Sequence, residues 1–137
     1  AEEMLLAVLL EHPELALGCQ DIVEEVGFVH QARRQIFDCI LAHDGEQTVE
    51  VHRLMEILED EASSVLAGIL SKNVPDGDCA KIIDDCLRQM KKGFLEKEYE
   101  KHRLLADEYE RSGNERFMDE LLESQRINNE IKRLYGS

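Results

Sequence analysis

From Cys79 to Arg111 the chain contains no proline and a single glycine, Gly93. A run of that length without a breaker reads as one long helix, about 50 Å from end to end at ~1.5 Å per residue. "NVPDGD" is the clearest break in the chain, and Asp78 is well placed to cap the helix that follows. The apolar stripe of this helix changes face partway. Ile83, Leu87, Met90 and Phe94 follow one 4-3-4 row, and a second row begins at Leu95 and continues through Tyr99, His102, Ala106 and Tyr109. The first row is expected to pack on whatever precedes the helix, and the second on another element.

That other element is read from the end of the chain. Gly113 ends the long helix and Asn114 opens the next, from Glu115 to about Leu134. Phe117, Leu121, Ser124, Asn128, Ile131 and Tyr135 recur at 4-3-4-3-4, the spacing of a seam between two antiparallel helices. Ser124 and Asn128 make its middle polar. A stripe that changes face beside Gly93, a weak helix former, also predicts a joint over Lys92–Leu95 and a terminal hairpin less stable than the bundle.

The first half divides into short helices. Glu2–Glu11 places Met4, Leu5, Val8 and Leu9 on one face, with Leu6 and Leu10 widening it, so this helix should lie centrally in a bundle. Pro13 stops it and suits the first turn of a second helix, Glu14 to about Val26, which ends at Gly27. A third is expected over His30–His43, carrying Ile36, Phe37, Ile40 and Leu41 and closed by "DGE". Thr48 can cap a fourth through Leu58, and Asp60 or Glu61 opens a fifth through Leu70. No β-branched residues alternate with polar ones over a strand's length. The fold class expected is therefore all-α: a multi-helix bundle over residues 1–93, continued by the long helix into an antiparallel hairpin over 94–137.

Charge argues for a protein partner. The 137 residues carry a formal net charge of −14. Ala1–Pro75 has fifteen acids against four Lys or Arg, whereas Asp76–Ser137 has fifteen against twelve. Binding along a nucleic-acid backbone draws on Lys and Arg to displace counterions, so direct nucleic-acid binding is not expected. Nor is a membrane span, because "MLLAVLLE" is far short of the ~18 apolar residues needed and follows two glutamates rather than a basic segment. The chain begins inside a helical pattern, as a domain cut from a longer protein would.

Motifs for chemistry are missing. The sequence has no glycine-rich phosphate loop, HExxH, GxSxG or EF-hand loop, and "DGDCAKIIDD" lacks the ligand spacing and terminal Glu of a calcium loop. Cys19, Cys39, Cys79 and Cys86 form no CxxC pair and read as reduced thiols of a cytoplasmic protein. Of His12, His30, His43, His52 and His102, only His43 has a His or Cys four residues away, Cys39, and two such groups alone do not make a metal site. "EYEKH" also lacks the ExxH spacing of a di-iron bundle. Asp84 with Asp85, and Glu96 with Glu98, read as solvated faces rather than paired catalytic carboxylates. No metal, cofactor or enzymatic activity is expected.

Three stretches together carry a resemblance: "EEMLLAVLLEHPEL", "FVHQARRQIFDCILAHDGE", and the closing "GNERFMDELLESQRINNEIKRLYG" behind an uninterrupted long helix. In this order they resemble the C-terminal helicase-binding domain of bacterial DNA primases, over essentially the whole chain. The resemblance implies a domain without chemistry of its own, in which a bundle and hairpin dock on the N-terminal region of the hexameric replicative DNA helicase. The hairpin would be the main attachment, and the bundle would modulate helicase activity. Whether single-stranded-DNA-binding protein is also a partner is left open. Three other readings are the N-terminal domain of the helicase itself, which would self-associate, a small metal or redox helical protein, and a coiled-coil assembly protein that would dimerise through the last helix.

Contact residues are read from the flanks of the terminal seam. At ~100° per residue, Ile127 and Leu134 fall on one flank and Met118, Leu122 and Gln125 on the other. Arg126 and Arg133 are charged neighbours that could meet acids on a partner, and Tyr135 ends the seam. An exposed apolar patch containing Ile127 and Leu134 is the expected anchor.

Overall fold

The computed structural model describes residues 1–42 and 51–136, and among these every regular element is helical. The chain divides into two compact units, Ala1–Met90 and Lys91–Ser137.

In the first unit α1 (Glu2–Glu11) is the central element. Leu5, Leu6, Val8 and Leu9 are each 0% exposed, so consecutive positions are buried all round the helix rather than along one stripe. α3 (Gln31–Ala42) and α5 (Asp60–Leu70) both lie against α1 and against each other. They contribute Ile36, Phe37, Ile40, Ala62, Leu66 and Ile69 to one apolar core. The rings of Phe28 and Phe37 meet there at 5.8 Å, tilted by 54°. α4 (Val51–Ile57) adds Leu54. Ion pairs and a hydrogen bond hold the start of α1 in place: Arg33 donates to Glu2 at 2.7 Å, Lys72 pairs with Glu3 at 3.3 Å, and the Val29 backbone N–H donates to Glu2 at 3.1 Å.

The continuous second helix expected from Glu14 is instead two 3-10 turns, Pro13–Leu15 and Leu17–Cys19, followed by α2 (Gln20–Val26). Pro13, Ala16 and Cys19 are all buried. Their spacing of three matches the 3-10 period and not the α period, so the core selects the tighter helix here. Gly27 then ends α2 as expected, with φ 68° and its N–H donating to the Val23 carbonyl at 2.8 Å. The cap at Thr48, the "DGE" stop and His43 lie outside the described residues.

α6 (Cys79–Ser112) is the long helix read from the sequence, and the Asp78 carboxylate caps it by accepting from the Ala80 N–H at 3.0 Å. Ile83, Cys86, Leu87 and Met90 belong to the core of the first unit. Farther along, Leu95 and Ala106 are the buried positions of the second row. α6 passes through Gly93 without a break, and a Cβ added there would meet nothing within 4 Å. Gly93→Ala is therefore expected to raise stability by about 0.5–1 kcal/mol, since the alanine fits and the unfolded chain loses freedom. Urea denaturation checks this; a loss of stability would mean that the site is not ordinary helix.

Candidate functional site

The second unit is built around the turn between α6 and α7 (Phe117–Tyr135). Gly113 adopts φ 72°, its N–H donates to the Glu110 carbonyl at 3.3 Å, and the Asn114 N–H reaches back to Tyr109 at 2.8 Å. The six-to-one bond closes the helix end, and it requires a residue free to adopt positive φ. The Asn114 side-chain oxygen accepts from the Arg116 N–H at 2.9 Å within the turn, and α7 starts at Phe117 with Arg116 at its N-cap position rather than at Glu115 behind an Asn114 cap. Asp119 and Glu120 occupy the first turn of α7, where the helix dipole favours negative charge.

The seam of α7 is rotated from the one read in the sequence. Ser124 and Ile127 are its buried residues, at 2% and 3% exposed, while Leu121 is 37% exposed. Phe117, Asn128, Ile131, Leu134 and Tyr135 are half-buried. The buried line thus runs Phe117, Glu120, Ser124, Ile127, Ile131, Leu134, at 3-4-3-4-3. Ser124 is accommodated because its hydroxyl donates to the Leu121 carbonyl at 2.7 Å, which satisfies the polar group without a partner from the other helix. Glu120 occupies a seam position through His102 of α6, whose Nδ1 contacts the Glu120 carboxylate while Nε2 faces Glu98 at 3.7 Å.

This arrangement corrects the expected contact patch. Ile127 is sealed inside the hairpin, so it is a packing residue and not an exposed anchor; Leu134 is half-buried on the same line. The two arginines are engaged within their own helix. Arg126 donates to Glu123 at 2.6 Å and pairs with Glu130 at 3.5 Å, and Arg133 approaches Glu130 at 3.9 Å. The Arg126 hydrogen bond holds the Glu123 carboxyl below the ordinary carboxylate range. What remains exposed is the other flank: Met118 at 46%, Leu122 at 58%, and Gln125 beside them. Leu121 extends this apolar surface, a residue that reading it as a seam position had concealed.

Chemistry finds little to build on among the described residues. His102, the residue most surrounded by carboxylates, has them at opposite ring nitrogens, so the three groups do not converge on one point. No group of three His, Cys, Asp or Glu gathers as a metal site among the described residues. Burial pushes the Cys19 thiol up to about 11, with Asp84 and Cys86 adding to it, and burial raises Cys86 as well. Such thiols stay protonated and are poor nucleophiles. A groove of about 220 Å³ lies over Ala7, Leu10, Ile69, Leu70 and Val74, with Glu11 and Lys72 at its edge. Lys72 already pairs with Glu3, so no set of polar groups converges on the groove.

The chain matches no protein-family model, no curated protein and no solved structure. No described helix is long and apolar enough to cross a membrane.

Proposed function

We propose that this chain is a non-catalytic protein-interaction domain of the primase type, which docks on the N-terminal region of the hexameric replicative DNA helicase and brings primer-synthesising domains to the fork. The sequence resemblance supplies the partner. The observation that carries the interaction reading is the outer flank of α7, where Met118 and Leu122 are 46% and 58% exposed on a helix whose opposite face is already occupied by the seam. Exposed apolar side chains that cluster on a mostly charged helix mark contact surfaces. The acidic bundle and the scarcity of convergent chemical groups favour binding over catalysis.

The test is capture of the replicative helicase of the same cell by the whole chain. The parent chain is expected to retain it, and Met118→Ser with Leu122→Ser to weaken capture by about tenfold or more, as loss of central apolar anchors does. These substitutions fall on exposed positions, so far-UV helicity should be unchanged. A parent chain that captures no helicase would sink the reading, and self-association of the purified chain would favour the helicase's own N-terminal domain instead.

A further inference from the structure

The charge of the second unit is divided along its length. Residues 104–125, around the turn, carry seven acids against two arginines. The remainder of 91–137 carries four acids against eight Lys or Arg. Ion pairing sharpens the division. Away from the turn Glu100 is taken up by Arg103 and Glu130 by Arg126 and Arg133, and at the far edge of the acidic segment Glu123 is taken up by Arg126. Near the turn, Glu115 and Asp119 have no ion-pair partner among the described residues, and both are exposed.

These unpaired acids adjoin the exposed apolar surface. On α7, at ~100° per residue, Met118, Asp119 and Leu122 share an arc of about 100° on the side away from Ile127. Glu115 lies in the turn just before that arc. The helix dipole accounts for acids at the start of α7, but it gives no reason for Met118 and Leu122 to stand exposed beside them. A surface that combines both is complementary to one kind of ligand: a helix with an apolar stripe bordered by Lys or Arg. A second copy of this hairpin fits poorly, because bringing two apolar patches together would also bring the two acidic turns together.

We infer that the turn end of α7 docks a cationic amphipathic helix of a partner protein, its apolar side chains on Met118, Leu121 and Leu122 and its basic residues at Glu115 and Asp119. This deepens the preceding reading and rests on it only for the partner's identity, since the chemistry of the surface follows from the side chains themselves.

The test uses the whole chain and a labelled amphipathic peptide of Leu and Lys, titrated by fluorescence anisotropy at low and high salt. The parent should bind it, more weakly as salt rises. Met118→Ser with Leu122→Ser, and separately Glu115→Lys with Asp119→Lys, should each weaken binding by about tenfold. A control with the same charge change elsewhere, Glu56→Lys with Asp76→Lys, should bind within about twofold of the parent, as expected of sites that do not share partners. Circular dichroism verifies that each variant is folded. The assignment is overturned if the parent does not bind the peptide, if the turn-end variants bind as the parent does, or if the control weakens equally, which would mean diffuse attraction to an acidic protein. Helicase capture by the parent is scored separately: its failure together with site-dependent peptide binding would remove the helicase as partner and uphold this surface.

Discussion

Ile127→Glu is expected to unfold the terminal hairpin. Ile127 is 3% exposed and sits at the centre of the buried line of α7, one helical turn from Ser124, the other fully covered position. Truncating a buried isoleucine costs about 2–5 kcal/mol through lost transfer energy and the cavity left behind. Glutamate adds the desolvation of a carboxyl with no cation on the line to receive it, so the total should reach about 4 kcal/mol or more. That is comparable with the whole stability of a small unit. The measurement is convenient because the chain has no Trp and all three of its tyrosines, Tyr99, Tyr109 and Tyr135, lie in the second unit. The near-UV tyrosine dichroism should therefore collapse in Ile127→Glu. A variant that keeps both that signal and its helicity would return Ile127 to the exposed flank. Met118→Glu, by contrast, should leave the signal intact, and the pair of variants separates packing from contact.

The second large effect is expected at Phe37→Ala, in the bundle. Phe37 is 1% exposed on α3, which lies against both α1 and α5, and its ring meets Phe28 at 5.8 Å. Removing a buried phenylalanine ring costs about 3–5 kcal/mol, of which the aromatic pair supplies about 0.5–1.5. The melting temperature should fall by at least about 10 °C. Phe37→Leu, which keeps most of the volume, should cost far less. Thermal melts followed by far-UV dichroism test this. A fall of only a few degrees for Phe37→Ala would mean that the core between α1, α3 and α5 closes over the missing ring.

Much of the fold follows from local rules that act on a few residues at a time. The absence of proline from Cys79 to Arg111, the Asp78 cap and the positive-φ glycines at Gly27 and Gly113 each specify a helix or its end without help from distant residues. The all-α class and the central place of α1 follow likewise, since five consecutive buried positions in a short helix require neighbours on every side. Two features needed the assembled chain. The segment Pro13–Cys19 has a composition compatible with an α-helix, and only burial of Pro13, Ala16 and Cys19 against the core selected the three-residue period.

The rotation of α7 is the other. Phe117, Ser124 and Ile131 belong to both possible seams, because they recur every seven residues. The choice lies between adding Leu121, Asn128 and Tyr135 or adding Glu120, Ile127 and Leu134, and each set contains two apolar residues and one polar residue. Hydrophobic periodicity weighs the two sets alike. The facing helix distinguishes them: His102 of α6 gives Glu120 a partner across the hairpin, and in that seam Ile127 is buried and Leu121 stands exposed beside Met118 and Leu122. The sequence by itself determined that the chain ends in two paired helices with more apolar side chains than their seam can hold. Which of those side chains stay outside, available to another molecule, was decided only by tertiary structure, because it depends on a pairing between residues eighteen positions apart on different helices.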